Sequence, residues 1–329
     1  MDNDFSPIID ALKSSVNIKL ILRYFLLVLS YLVVSLTLIL LIFGTAFWMI
    51  ISPFLSKLAL VQDNPMVLME LGAMFFQNLP LIILIVVVAL IIMIILIILW
   101  ESVLEGAELF FAKTFLTTGE ISLSNAFKNA MPNVLNIFKV KVLLAVIFFI
   151  LYLVLITPVI LTAIGMMSSM PALVQGLVAE ESSALLQIRS LAGLNDTLSS
   201  LHSLIVMLLA PILLLIVPLI LFEKLGVIPA LKRAWALAKT NYLGNLVFVI
   251  LIGIVEFILV ILAMIVASLI LIPFIALIFV LGIAAVILIA LVALILLALI
   301  MGWITAFHFL AIVKFYEFAT GNAAGPKPV

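Results

Sequence analysis

Between Leu246 and Val313 the chain runs for 68 residues with one Asp, Glu, Lys or Arg side chain, Glu256. A single helix over that stretch would be about 100 Å long at 1.5 Å per residue, against a hydrocarbon core of roughly 30 Å. Two membrane spans must therefore fit, near 246–270 and 283–313, with a tight turn predicted at Pro273 or Gly282. The rest of the chain agrees with this reading. Hydrophobic residues make up 68% of the 329 and charged residues 9%, where a water-soluble domain has roughly 45–50% and about 25%.

Four further apolar runs lie upstream. The first, about 24–52, is predicted to close at Pro53, and the second starts at Pro80, stays uncharged to Trp100 and continues as helix past Glu101, Glu105 and Glu108 until Gly119. The third, 142–167, holds Pro158, and the fourth, 201–222, holds Pro211 and Pro218. The expected fold is all-α, a polytopic bundle of six spans, with seven as the runner-up. Of the 15 Lys and Arg, only Lys57 and Arg189 fall in the two loops on one side. The excess of positive charge on the other side predicts that both termini are cytoplasmic. The external stretches 53–79 and 168–200 read as polar loops with apolar patches at Leu173, Val174, Leu177 and Val178.

A short segment precedes each odd-numbered span. Residues 5–13, 121–128 and 226–232 share an Ala-apolar-Lys core that places Ala11, Ala126 and Ala230 in register. In the first, Phe5, Ile8, Ile9, Leu12 and Val16 oppose Ser6, Asp10, Lys13 and Asn17, which is helical periodicity. In the second, Leu123, Phe127, Ala130, Val134 and Phe138 oppose a row of Ser and Asn, with Pro132 expected to kink or split the helix. The third sets Val227, Leu231, Ala234, Trp235 and Ala238 against Lys232, Arg233 and Lys239. Three cytoplasmic amphipathic helices lying in the interface are expected, either as elbows for the following span or as lipid contacts. A single integral membrane domain, 1–329, would then consist of repeat units of approximately 5–118, 119–225 and 226–321.

The stretch 221–242 carries Glu223, Gly226, Ala230, Leu231, Arg233, Trp235, Lys239 and Tyr242 at spacings of a known signature. It resembles the membrane domain at the N-terminus of some glycerophosphoryl diester phosphodiesterases and its stand-alone prokaryotic relatives. Ala234 stands where that family usually has Ser. The segment Gly119, Leu123, Ala126 and Phe127 is similar to the family's first-half pattern. The resemblance implies a six-span module of the prokaryotic cell membrane. It does not imply phosphodiesterase activity, because the catalytic barrel would need on the order of 200 further polar residues.

Candidate functional residues are few. Glu256, about 12 residues into the fifth span, is an intramembrane carboxylate and by default a functional hypothesis; hydrogen bonding to Thr305, Tyr152 or a backbone carbonyl is the structural alternative. Glu101, Glu105 and Glu108 share one helical face, where their mutual repulsion calls for a cation such as Lys139, Lys141, Lys232 or Arg233, or a divalent ion. Glu223, Arg233 and Trp235 are candidates through the signature. His202 and His308 read as packed side chains, without a carboxylate at ligand spacing. The Ala263/Ala267 and Gly302/Ala306 pairs suit close helix contact. There is no cysteine, no metal motif, no P-loop, no nucleophile elbow and no dinucleotide fingerprint, so no enzyme and no cofactor are expected. Zero net charge and scattered basic residues exclude a nucleic-acid partner. The expected partners are membrane lipids and a membrane protein, a second copy included. Two functions remain open at this point: lipid or partner interaction through the interfacial helices, and transport or lipid translocation around Glu256.

Overall fold

The computed structural model describes residues 6–58, 67–120, 122–168, 182–281 and 283–321. Every extended element in these residues is a helix, with no strand among them. They are α1 (Ser6–Ser15), α2 (Ile18–Leu58), α3 (Val67–Thr118), α4 (Leu123–Ala130), α5 (Val134–Ser168), α6 (Ser182–Phe222), α7 (Val227–Thr240), α8 (Tyr242–Leu281) and α9 (Ile283–Thr320). Six of them, α2, α3, α5, α6, α8 and α9, are long and apolar enough to cross a membrane. The protein is thus an all-α, multi-pass membrane protein. Large apolar side chains on these helices face outward, among them Leu40, Phe47 and Trp48 on α2, Val154 on α5 and Phe257 on α8. Such a surface is stable only against hydrocarbon.

The helix boundaries follow local chemistry. Asn17 caps α2, its side-chain oxygen accepting from the Lys19 and Leu20 amides at 3.0 and 3.4 Å. Gly119 ends α3 in the left-handed region, φ +72°, and donates its amide to the Phe115 carbonyl at 2.9 Å. Ser122 caps α4 through the Asn125 amide. Pro132 sits in a 3₁₀ turn, Met131–Asn133, that separates α4 from α5, so the kink expected there is present.

Other prolines do not act as the sequence suggested. Pro53 lies inside α2, which continues to Leu58, and Pro80 lies inside α3, which begins at Val67. Pro273 lies within α8, which runs to Leu281; the next helix starts at Ile283, and Gly282 lies outside the described residues. The α6 helix also starts at Ser182, so most of the expected polar loop after residue 181 is helical. In hydrocarbon an interrupted ladder leaves unsatisfied polar groups, so a proline is absorbed in a helix more readily than it ends one. The patch at Leu173–Val178 lies outside the described residues, as do Asp63–Pro65.

The chain divides into two compact units. One comprises Ser6–Phe138 and Gly253–Lys314. Its centre is Tyr24, fully buried, with its ring edge-on to Phe111 at 5.4 Å and stacked on Phe309 at 6.2 Å. The Tyr24 hydroxyl donates to the Glu108 carbonyl at 3.0 Å, which joins α2 to α3. Trp303 donates from Nε1 to the Ser15 hydroxyl at 3.2 Å and joins α9 to α1. Gly302 lets α9 approach α2 at backbone distance, since a Cβ there would lie 2.7 Å from the Phe25 nitrogen and 2.9 Å from its Cα. Ala306, one turn on, is fully buried.

The other unit comprises Lys139–Ile252 and the described residues from Phe315 onward. Leu215, Ile216, Leu219 and Ile220 of α6 form its buried face together with Phe248, Phe315 and three alanines of α7, Ala230, Ala234 and Ala238. Phe248 packs against Phe315 and Phe318 at 5.3 and 5.2 Å. Asn245 donates to the Leu237 and Ala238 carbonyls at the end of α7, and the Tyr242 hydroxyl donates to the Leu208 carbonyl at 2.7 Å.

Gly302→Ala is expected to lower stability by about 1–3 kcal/mol, because backbone and not a flexible side chain blocks the new methyl group. Gly253→Ala, where nothing lies within 4 Å, is expected to be neutral or stabilising by less than about 1 kcal/mol. Thermal unfolding of the two variants in detergent checks the pair.

Candidate functional site

The four residues Glu101, Leu104, Glu105 and Glu108 follow the i, i+3, i+4, i+7 spacing that lines one stripe of a helix, and on α3 this stripe faces a cavity of about 550 Å³. The opposite wall is the stripe of α9 bearing Met301, Thr305 and His308, and the third side is α2 with Val28, Tyr31 and Leu32. All of these belong to the unit built around Tyr24. The cavity therefore has apolar walls and a polar set of three carboxylates, one imidazole, one phenol and one threonine hydroxyl. Its volume is within the range of small-molecule sites, roughly 300–1,000 Å³. Glu108 is the most enclosed of the three acids, 8% exposed, and Glu101 is exposed.

Glu256 reaches this site through His308. Its carboxylate lies 2.5 Å from His308 Nδ1, with the side chains 26% and 37% exposed respectively. The partner is neither Thr305 nor Tyr152, as the sequence suggested, but an imidazole on the neighbouring span. Both residues sit at a similar depth along their helices. Glu256 is 14 residues after the start of α8, about 21 Å, and His308 is 12 residues before the end of α9, about 18 Å. Sequence reasoning set His308 aside because ligand-spacing rules look along one helix, whereas this contact spans 52 residues. Counting depth from the two helix ends would have brought the acid and the base together.

Among the described residues, no group of three or more His, Cys, Asp or Glu is close enough to hold a metal ion. The three acids of α3 thus line a cavity without converging on one point. Further along the same two helices, Leu41, Ala46, Leu84 and Val88 help form an apolar groove of about 480 Å³. A smaller cavity, about 140 Å³, lies between α5 and α6 in the other unit and is lined by Tyr152, Asn195 and His202. His202 packs there against the edges of Phe148 and Tyr152.

The signature residues form a second cluster, in the other unit. Glu223 follows the last residue of α6, Lys224 takes a left-handed φ of 54°, and α7 begins at Val227, so the chain reverses within four residues. This brings Arg233 Nε to 3.9 Å from Glu223 Oε2, and Tyr316 donates its hydroxyl to Glu223 Oε1 at 3.2 Å. Tyr316 also meets Phe222 edge-on at 5.3 Å. The spacing of Glu223 and Arg233 therefore has a structural account: it fastens the α6–α7 corner to α9. Arg233 faces this carboxylate in its own unit, whereas the sequence offered it as a counter-ion for the acids of α3. Trp235 takes no part in the cluster and stands 58% exposed.

No protein-family model matches the chain, and no curated protein or solved structure matches it.

Tyr316→Phe removes a mostly buried hydroxyl from the Glu223 carboxylate and is expected to cost about 1 kcal/mol. Arg233→Gln removes a long, half-exposed ion pair and is expected to cost less than about 1 kcal/mol. Unfolding of both variants in one detergent gives the order, with Tyr316→Phe the lower in melting temperature.

Proposed function

We propose that the protein is a non-enzymatic membrane protein of the prokaryotic cytoplasmic membrane, with both termini cytoplasmic, that binds an amphiphile in the α2–α3–α9 cavity and moves it within the bilayer. The observation that carries this reading is His308, paired with Glu256 behind it, on the wall of a cavity that also bears Glu101, Glu105 and Glu108. Ionisable side chains inside a membrane are costly and mark ligand or ion pathways. The cavity, about 550 Å³ and open on one side, presents these polar groups to whatever enters it. The ligand class follows from the lining. Carboxylates, imidazole and hydroxyls receive a polar head with hydrogen-bond donors, and the apolar walls, with the groove between Leu41 and Val88, receive hydrocarbon.

The resemblance to the membrane domain of glycerophosphoryl diester phosphodiesterases is compatible with such a role, because it implies a six-span membrane module. The three short helices α1, α4 and α7 would be repeated interfacial elements of this module, set on its cytoplasmic side. A second reading has its own observation. The outward face of α7, with Trp235, Ile228 and lysines exposed, favours contact with lipid or a partner protein at the surface, whatever the cavity does.

The test is translocation of acyl-labelled fluorescent phosphatidylcholine, phosphatidylethanolamine and phosphatidylglycerol in vesicles containing the full-length protein. Dithionite bleaches label in the outer leaflet only. With protein present, bleaching is expected to proceed beyond the extent seen in empty vesicles for at least one lipid. Glu256→Gln and His308→Gln are expected to return it to the empty-vesicle extent while the protein still folds. Equal bleaching with and without wild-type protein, for all three lipids, would remove the translocation reading.

A further inference from the structure

The short helices α1, α4 and α7 present the same local surface three times. In each, a small residue and another four positions on are buried: Ala11 with Ser15, Ala126 with Ala130, and Ala230 with Ala234. Two positions after the first small residue comes a lysine, Lys13, Lys128 and Lys232, and all three are exposed. Three positions after the lysine comes a large apolar side chain, Val16 in the turn that follows α1, Met131 in the 3₁₀ turn that follows α4 and Trp235 within α7, and these are 60%, 57% and 58% exposed. Residues three apart are neighbours on a helix surface. Each element therefore holds itself to the protein by a small-residue stripe and turns outward one cation beside one apolar group.

The placement of these pairs fixes what they meet. The α7 helix is joined to two membrane spans, by four residues from α6 and by Asn241 alone to α8. It cannot leave the level of the membrane surface. The α1 helix precedes α2 by two residues, and α4 follows α3 by four and leads through a 3₁₀ turn into α5. An exposed apolar group next to a lysine at that depth matches the boundary between acyl chains and headgroups. The α7 helix carries the pattern furthest, since Ile228, 56% exposed, and Lys239 lie on the flank of Trp235 and Lys232. Arg233 points to the opposite flank, toward Glu223.

We infer that Lys13 with Val16, Lys128 with Met131 and Lys232 with Trp235 are three equivalent docking points for the phosphate of an anionic phospholipid at the membrane surface. This rests on the surface-contact reading of the short helices and is independent of the cavity. A lysine near an anionic membrane strengthens attachment by about fivefold, so losing all three should be large and graded.

The experiment titrates the full-length protein in detergent with phosphatidylglycerol or phosphatidylcholine and counts bound lipids by native mass spectrometry. The wild-type protein is expected to retain phosphatidylglycerol over phosphatidylcholine. Each of K13Q, K128Q and K232Q should weaken that preference by several-fold, and the triple variant should abolish it. The triple Lys→Arg variant should keep it, and does so even if the Gln triple fails to fold. R233Q, which touches only the Glu223 corner, should leave the preference intact. An unchanged preference in a folded triple Gln variant overturns the proposal. Loss of the preference in R233Q also overturns it, by placing the anionic lipid at the Glu223 corner. An effect confined to K232Q overturns the equivalence of the three.

Discussion

Hydrocarbon offers no partner to a backbone amide or carbonyl, and this constraint governs the architecture more than any side-chain contact. Each group must be satisfied within its own segment, so the chain crosses as helix or not at all. It explains why Pro53, Pro80, Pro158, Pro211 and Pro218 all lie inside helices. It also explains why helix ends occur where a capping group is present. Asn17, Gly119 and Ser122 each supply a donor, an acceptor or a left-handed turn at a break. Threonines along the spans, such as Thr37, Thr45 and Thr157, turn their hydroxyls back to the carbonyl four residues earlier and so carry no unpaired donor into lipid.

Once the helices exist, their association gains little from the hydrophobic effect, because lipid tails are as apolar as leucine. Close approach and a few buried hydrogen bonds have to do it. Around Tyr24 both are present. Its hydroxyl holds α3 through the Glu108 carbonyl, its ring lies between Phe111 and Phe309, and Gly302 admits the backbone of α2. The cavity lies next to this point of tight packing and shares Glu108 and Phe309 with it. In the other unit the alanine stripe of α7 and the Glu223–Tyr316 hydrogen bond do the same for the α6–α7 corner. Small residues recur where helices must touch, and large ones face outward to lipid.

How much of this was legible in the sequence depends on whether the signal is local. The six spans, the stop at Gly119 and the break at Pro132 were readable, because each is set within a few residues by composition or local conformation. Boundaries inferred from proline failed for Pro53, Pro80 and Pro273, where the soluble-protein rule that proline ends a helix gives way to the demand of the bilayer. The shared face of Glu101, Glu105 and Glu108 was legible from spacing alone. That His308 and Thr305 complete the wall was not, since α3 and α9 are nearly two hundred residues apart in sequence. The motif spacing of Glu223 and Arg233 was visible without its reason, which lies in Tyr316, 93 residues away.

The acid–base pair inside the spans can be weighed against its alternatives. A carboxylate alone at the depth of Glu256 costs roughly 2.5–3.5 kcal/mol on insertion scales, which its apolar neighbours outweigh for insertion but do not remove. Pairing with an imidazole removes part of it only if the two are held together, and His308 is held by a helix that Gly302 and Ala306 lock against its neighbours. Were stability the only end, two apolar residues at 256 and 308 would serve as well, since replacing a buried ion pair by packed hydrophobic groups is often neutral or stabilising. A histidine on the wall of the cavity, in contact with a carboxylate of the next span, adds what an apolar residue cannot: a polar group facing the cavity. A polar ligand head in the space between α3 and α9 would meet that imidazole beside the three carboxylates of α3.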